Sequence, residues 1–300
     1  MNWFLCIHYM YQPYLRILSV SDPHFSTFNG EYFSYHGECD LVLLNSLGFA
    51  SGLGLLVHIR TTRVEHPTYS FSYISGIAVK LGNDVLEAMD DGSIILNGND
   101  LELDLLDDST FAGFPVTKTT KGKQKNIYVY DLNLDGINVS TNSKNGNINS
   151  NINSNSSIQI RANTKSGMLF VDVNGVFNDS VGLLGPSTTT GLFARDGETD
   201  LTGEWNTFGE EWQVIDTEPK LFQENRIPQY PAGCRYETKQ STKRLRRRRR
   251  LMELKEDEEV VTIETATDAC SKASGRQKEF CIGDIMATGD LELAQDPFYH

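Results

Sequence analysis

The chain has 300 residues, 39% of them hydrophobic and 10% aromatic, enough to bury a core in two domains or in one large β domain with appendages. A net charge of −13 excludes a nucleic-acid binder that works through a broad basic surface. Seven of the positive charges fall within residues 243–250, so the rest is more acidic still and suits a soluble secreted protein that avoids anionic membranes.

The first twenty residues, MNWFLCIHYMYQPYLRILSV, are apolar from Trp3 to Tyr11, but His8 interrupts the run and Gln12 and Pro13 follow it. No Lys or Arg precedes it, so a secretory leader is weak or missing here. Five cysteines, Cys6, Cys39, Cys234, Cys270 and Cys281, are too sparse for a disulfide scaffold but suffice for two bridges with one left over. No CxxC pair and no Cys/His cluster has zinc-ligand spacing.

Residues 21–44, SDPHFSTFNGEYFSYHGECDLVLL, begin with a rigid Asp22-Pro23 step. Phe25, Phe28, Tyr32, Phe33 and Tyr35 flank Asn29-Gly30, a pair that tolerates positive φ, which predicts an aromatic hairpin. Residues 41–44, 53–59, 69–73 and 77–81 then read as four separate short strands, parted by Gly, Asn, Ser or Pro. Ile77, Val79 and Leu81 alternate with Ala78 and Lys80, as one buried face requires. Within this stretch residues 47–59 are the longest nearly uncharged apolar run, short of the roughly 20 needed to span a membrane.

Asn83-Asp84, Asp91-Gly92 and Asn97-Gly98 are turn chemistry between further short strands, and residues 127–130 alternate as another. The Asn/Ser tract 140–157 lacks the apolar surface to offset its ordering entropy and reads as a loop. Three sequons begin at Asn138, Asn155 and Asn178 and matter only in a secretory pathway. Residues 158–160 and 168–173 resume the strands, and Asn174-Gly175 turns.

Residues 217–236 are Pro-studded, and 237–260 read as a charged linker. Its basic end leads and its acidic end follows, the wrong order for a helix dipole. The arginines 246–250 suit a solvated linker; a dibasic processing site, a nuclear signal or a nucleic-acid contact are the sharper readings, and nothing nearby supplies a basic face.

Residues 21–44 resemble the opening of a von Willebrand factor type D (VWD) domain, GDPHxxTFDGxxFxFxGxCxYxL. Asp22, Pro23, His24, Thr27, Phe28, Gly30, Phe33, Tyr35, Gly37, Cys39 and Leu41 fall in register. Residues 181–185 (VGLLG) and 208–214 (FGEEWQV) look like the later pattern GLCGNxNG…FGxSWxV, whose second part is taken as a strand. Residues 284–290 are similar to a CxFDVxATGD segment that follows VWD domains in some extracellular proteins. The resemblance implies an all-β, two-sheet β-sandwich-like domain over 18–216 with a trailing segment to 236. A small disulfide-bearing segment over 261–300 follows the linker.

It further implies an extracellular or secretory-pathway structural or adhesive module that binds other extracellular or matrix proteins, without catalytic turnover. The alternative is an extracellular polymer-acting hydrolase using surface carboxylates. Against it, the adjacent carboxylates Asp90-Asp91, Asp107-Asp108 and Glu210-Glu211 would point to opposite faces of a strand. No GxSxG, HExxH or P-loop occurs either.

The departures from the pattern carry expectations of their own. The family's cysteines before GDPH and inside GLCG are both absent, with Leu184 at the second position. The family cysteine at Cys39 is expected to pair with Cys234, and Cys270 with Cys281, leaving Cys6 over. Without a CxxC dithiol, disulfide-linked polymerisation is disfavoured. Calcium-binding members use the Asp of TFDG, here Asn29, and carboxylates in the loop after GLCG, here absent from residues 185–191. Asp196, Glu198 and Asp200 lie a few residues on as candidates, but no cofactor is expected.

In some relatives the Asp-Pro bond of GDPH cleaves itself, which would assign Asp22 as nucleophile, Pro23 as leaving group and His24 as proton donor. Ser21 in place of glycine and the missing bridge favour an intact bond, with Asp22 and His24 making structural hydrogen bonds.

Overall fold

The computed structural model describes residues 23–65, 70–101, 110–120, 127–134, 156–164, 167–187, 190–224, 261–295 and 299. An aromatic hairpin opens the fold, with β1 (His24–Ser26) antiparallel to β2 (Tyr32–Ser34). A six-stranded antiparallel sheet follows in chain order: β3 (Asp40–Ser46), β4 (Leu55–Glu65), β5 (Ser70–Leu81), β6 (Asp84–Met89), β7 (Ile94–Leu96) and β8 (Asn99–Leu101). A five-stranded antiparallel sheet is built from β9 (Thr110–Phe111), β10 (Phe114–Thr120), β11 (Ile127–Asn133), β12 (Ser157–Asn163) and β13 (Met168–Asn174). Each strand pairs with its sequence neighbour, as short turns favour.

The core lies between the two sheets. Leu41, Val57, Ile59, Ile77, Val79, Leu81 and Leu86 face Tyr130, Leu132, Ile158, Ile160, Leu169 and Val171 in one buried cluster. The fold is therefore an all-β sandwich.

Two expected strands are one. Residues 69–73 and 77–81 belong to the single strand β5, and the expected strand 53–59 runs from Leu55 to Glu65. Ser75-Gly76 reads as punctuation in sequence. In the fold, Arg60 pairs with Gly76 and Thr61 with Ile74, so Ser75 is the extra residue of a β-bulge. A Cβ at Gly76 would stand 3.1 Å from both Met89 and Phe222, so this glycine serves close packing and not a turn.

The expected strand at residues 208–214 is also corrected. Trp205–Glu211 is a helix, and only its exit joins the sheet. Val42 N–H donates to Trp212 O (2.8 Å) and Val214 N–H to Asp40 O (2.8 Å), covering the edge of β3. Tyr35 explains why a glycine follows Phe208. A Cβ at Gly37 would meet the Tyr35 ring at 2.6 Å, and one at Gly209 would collide with its other edge.

The C-terminal region is helical, with helices Ile263–Ala269 and Gly275–Thr288 joined through a short 3-10 turn. Thr262 Oγ1 caps the first by accepting from Thr265 N–H, and Gly289 ends the second in the left-handed region (φ 71°). The disulfide Cys270–Cys281 is buried inside this unit. Ala266, Ile285, Leu293 and Tyr299 pack with Tyr73, Met168 and Phe170 of the sandwich. Leu169, Val171 and Val173 fill the core while Met168 and Phe170 lie under the helices, so β13 is buried on both faces.

Residues 135–155 and 225–260, which include most of the Asn/Ser tract and the charged linker, lie outside the described residues. So do Cys6, Cys234, Asp22, Asn138, Asn155, Asp107 and Asp108. Ser157, the last residue of that tract, opens β12.

Candidate functional site

The two sequence motifs meet at one end of the sandwich. Val181 and Asn45 exchange backbone hydrogen bonds of 2.9 Å, Leu183 N–H donates to Val42 O, and Leu184 N–H to Leu43 O. Phe28 N–H donates to Leu184 O at 2.9 Å, which ties the hairpin to the same loop. Gly182 has φ 118°, and a Cβ there would lie 2.7 Å from Leu43 O, so only glycine lets these backbones approach. Leu184, at the position of the absent family cysteine, is fully buried. Burial of such a side chain contributes roughly 1.5–3 kcal/mol, so apolar packing stands where the bridge is missing.

Asp179 fastens the neighbouring loop by accepting from Ser46 Oγ and from Gly48 N–H. Partial burial pushes its carboxyl up, but these hydrogen bonds outweigh that and hold it below the usual carboxylate range. Beside it the 47–54 loop is strained: Ala50 (φ 53°, ψ 48°) and Ser51 (φ 59°, ψ 35°) are consecutive left-handed residues without being glycine. Leu47 and Leu53 on this loop are 74% and 45% exposed, and Val176 and Val181 across the Asp179 tie are 47% and 43% exposed. Isolated exposed leucines are ordinary, but here four large apolar side chains stand exposed on two loops that Asp179 ties together. Asn178 of the third sequon is exposed between them, while Ser180 Oγ donates to Gly185 O and accepts from Ser187 N–H.

The residues proposed for self-cleavage are placed in part. Pro23 is buried, and its carbonyl accepts from Tyr35 N–H at 3.1 Å. His24 Nδ1 lies 2.6 Å from Ser34 Oγ, and the ring stacks on Phe280 at 3.8 Å. His24 is thus held in structural contacts that include the C-terminal helix.

The calcium candidates are each placed in the structure. Asn29 buries its Nδ2, which has no hydrogen-bond partner among the described residues. Asp196 accepts from Thr199 Oγ1 and from the N–H groups of Thr199 and Glu198, closing its own turn. Asp200 does the same with Thr202. These hydrogen bonds, the threonine hydroxyl first in each case, hold both exposed carboxyls low. Among the described residues no group of three or more His, Cys, Asp or Glu is arranged to hold a metal ion. Glu210 and Glu211, read as strand neighbours, sit instead on the 205–211 helix, where Glu211 Oε1 accepts from Arg195 N–H.

The densest polar network among the described residues was not legible in the sequence. Arg60 is buried on the outer face of the larger sheet, donating to Asp40 through Nε (2.7 Å) and Nη2 (2.8 Å) and to Glu224 O (2.6 Å). Its guanidinium lies 4.2 Å from the centroid of the Phe222 ring. Glu87 accepts from Gln223 N–H at 3.0 Å, and burial pushes its carboxyl up. Arg195 donates to Glu211 O and Gln213 O and pairs with Glu218, with Trp212 beneath it. Residues 212–224 thus form a strap across the outer face. The only sequence signal was the alternation of Leu56, His58 and Arg60 with Val57 and Ile59.

Cys39 is disulfide-bonded to a partner outside the described residues, and it is buried beside Thr61, whose Oγ1 accepts from Cys39 N–H. No helix among the described residues is long and apolar enough to cross a membrane. No curated protein matches the chain. Residues 19–187 match the family model of the von Willebrand factor type D domain, running from the step before the hairpin through the loop that Gly182 allows. With more than half of its length in that match, the chain belongs to the von Willebrand factor type D domain family.

Proposed function

We propose that this protein is an extracellular structural or adhesive module that binds other extracellular or matrix proteins through the loop end of its sandwich and performs no catalytic turnover. Membership of a typically extracellular, protein-binding and generally non-enzymatic family supports the reading. The observation that carries it is the exposed set of Leu47 and Leu53 on a strained loop and Val176 and Val181 on the loop that Asp179 ties to it. Strain held at an exposed apolar loop marks a surface kept for contact. A glycan on Asn178 would shield Val176 and Val181, so an unmodified Asn178 accompanies this proposal.

The secreted wild-type protein is expected to be retained on cell-laid extracellular matrix. Leu47→Asp with Leu53→Asp should reduce retention at least tenfold, or about 1.4 kcal/mol, while leaving the melting temperature unchanged. Equal retention of the variant would remove the surface, and no retention of the wild type would remove the adhesive role. We also propose an intact Asp22–Pro23 bond, a Cys39–Cys234 bridge and no tight calcium site. Purified protein incubated at mildly acid pH should show a single full-length mass, and micromolar calcium should not raise its melting temperature, because an ion bound to the folded state must stabilise it. A fragment beginning at Pro23, absent from Asp22→Asn, would make Asp22 a reactive residue.

A further inference from the structure

We propose that the outer face of the larger sheet carries an acid-operated latch, in which protonation of His58 releases the strap formed by residues 212–224. His58 is buried on β4, and neither ring nitrogen has a hydrogen-bond partner among the described residues. It shares its face with Arg60 two residues on, and lies opposite Ala78, which packs with Leu221 and Phe222 of the strap. The strap therefore covers the sheet face on which His58 and Ala78 lie.

The charged neighbours decide the direction. On β3, Asp40 is the one carboxylate drawn to an imidazolium, and both its oxygens already accept from Arg60. Arg195, which is tied to Glu211, Gln213 and Glu218, opposes a further positive charge, while Arg60 on β4 itself is already paired with Asp40. On β5, Lys80 is two residues from Ala78 on the same face and adds another positive group. On β6, Glu87 holds Gln223, and Glu224 ends the strap with its carbonyl on Arg60. Burial is the largest effect and, with Arg195, outweighs Asp40, lowering the His58 pKa from 6.5 to about 4.

With the strap closed, His58 stays neutral; with the strap lifted, water can solvate the imidazolium. A group whose pKa is depressed in the closed state binds more protons in the open one, so closure weakens as pH falls from about 6.5 towards 4. At pH 5 the open population should exceed that at pH 7.4 by about 20–30-fold. Glu87 acts in the opposite sense. Its carboxyl is raised in the closed state, so its contribution is present at low pH and is lost as pH rises. Opening would uncover Leu56, Ala78 and Val85 and free the β3 edge that Val214 now pairs.

Amide hydrogen exchange on the full chain at pH 7.4 and pH 5, corrected for the intrinsic rate, tests the latch. Protection at Val214 and Gln223 should fall about 20–30-fold at pH 5, while Ile160 and Val171 in the smaller sheet keep theirs. His58→Gln should abolish the acid opening, leaving only the opposite dependence that Glu87 contributes, and Glu87→Gln should leave the acid opening in place. Unchanged protection in the wild type, an equal loss in His58→Gln, or loss at Ile160 and Val171 in the same step would each overturn the proposal. Should His58→Gln fail to fold, direct NMR titration of the wild-type imidazole decides. A midpoint near 4 in the closed form supports the latch, and one near 6.5 removes it.

Discussion

Arg60→Ala is expected to destabilise the fold by about 3–5 kcal/mol, the range for breaking a buried ion pair by removing one partner. The substitution leaves Asp40 without its two guanidinium hydrogen bonds and Glu224 O without its donor. It also removes the cation beside the Phe222 ring. Because these contacts hold one end of the strap, its amides should lose protection before those of the core. The double variant Asp40→Leu with Arg60→Met should recover much of the loss, since replacing both charges by apolar groups is often near neutral. Urea unfolding with an unchanged m-value provides the measurement. A cost below about 1 kcal/mol for Arg60→Ala would show that the network contributes little, as exposed ion pairs do.

Replacing Cys270 and Cys281 together by serine should open the C-terminal unit. The bridge closes a loop across 11 residues of sequence separation, worth about 3 kcal/mol in the chain-entropy treatment. The unit is short, and two helices of 7 and 14 residues have little independent stability. Its loss should uncover Tyr73, Met168 and Phe170, and with them the Phe280 ring contact of His24. Binding of a hydrophobic dye should rise, and unfolding should split into two steps as the helical unit leaves ahead of the sandwich. A single transition shifted by less than about 2 °C with no dye binding would show that the helices hold without the bridge.

The strands of the core were legible where one face is buried and turn chemistry is local. Ile77, Val79 and Leu81 point inward as their alternation requires, and Asn97-Gly98 turns with both residues at positive φ. Ser75-Gly76 misled for the same reason, since small residues that mark turns also permit close approach. Nothing within a few residues of Gly76 announces Phe222. The 208–214 segment misled differently, because Gly209 was read as part of a strand when its role is to let the Tyr35 ring lie against a helix.

By itself the sequence determined the all-β class, the aromatic hairpin and the two motifs that place the chain in its family. Each is carried by spacing over short stretches, where backbone preference and side-chain periodicity act without distant help. Only the tertiary structure decided what covers the outer faces. Met168 and Phe170 are buried by helices about a hundred residues downstream, and Arg60 and His58 by a strap more than 150 residues away. A polar side chain at an outward strand position reads as solvated, because its periodicity is that of any exposed face. Burial of that face depends on a distant segment folding back, and no local pattern encodes the return.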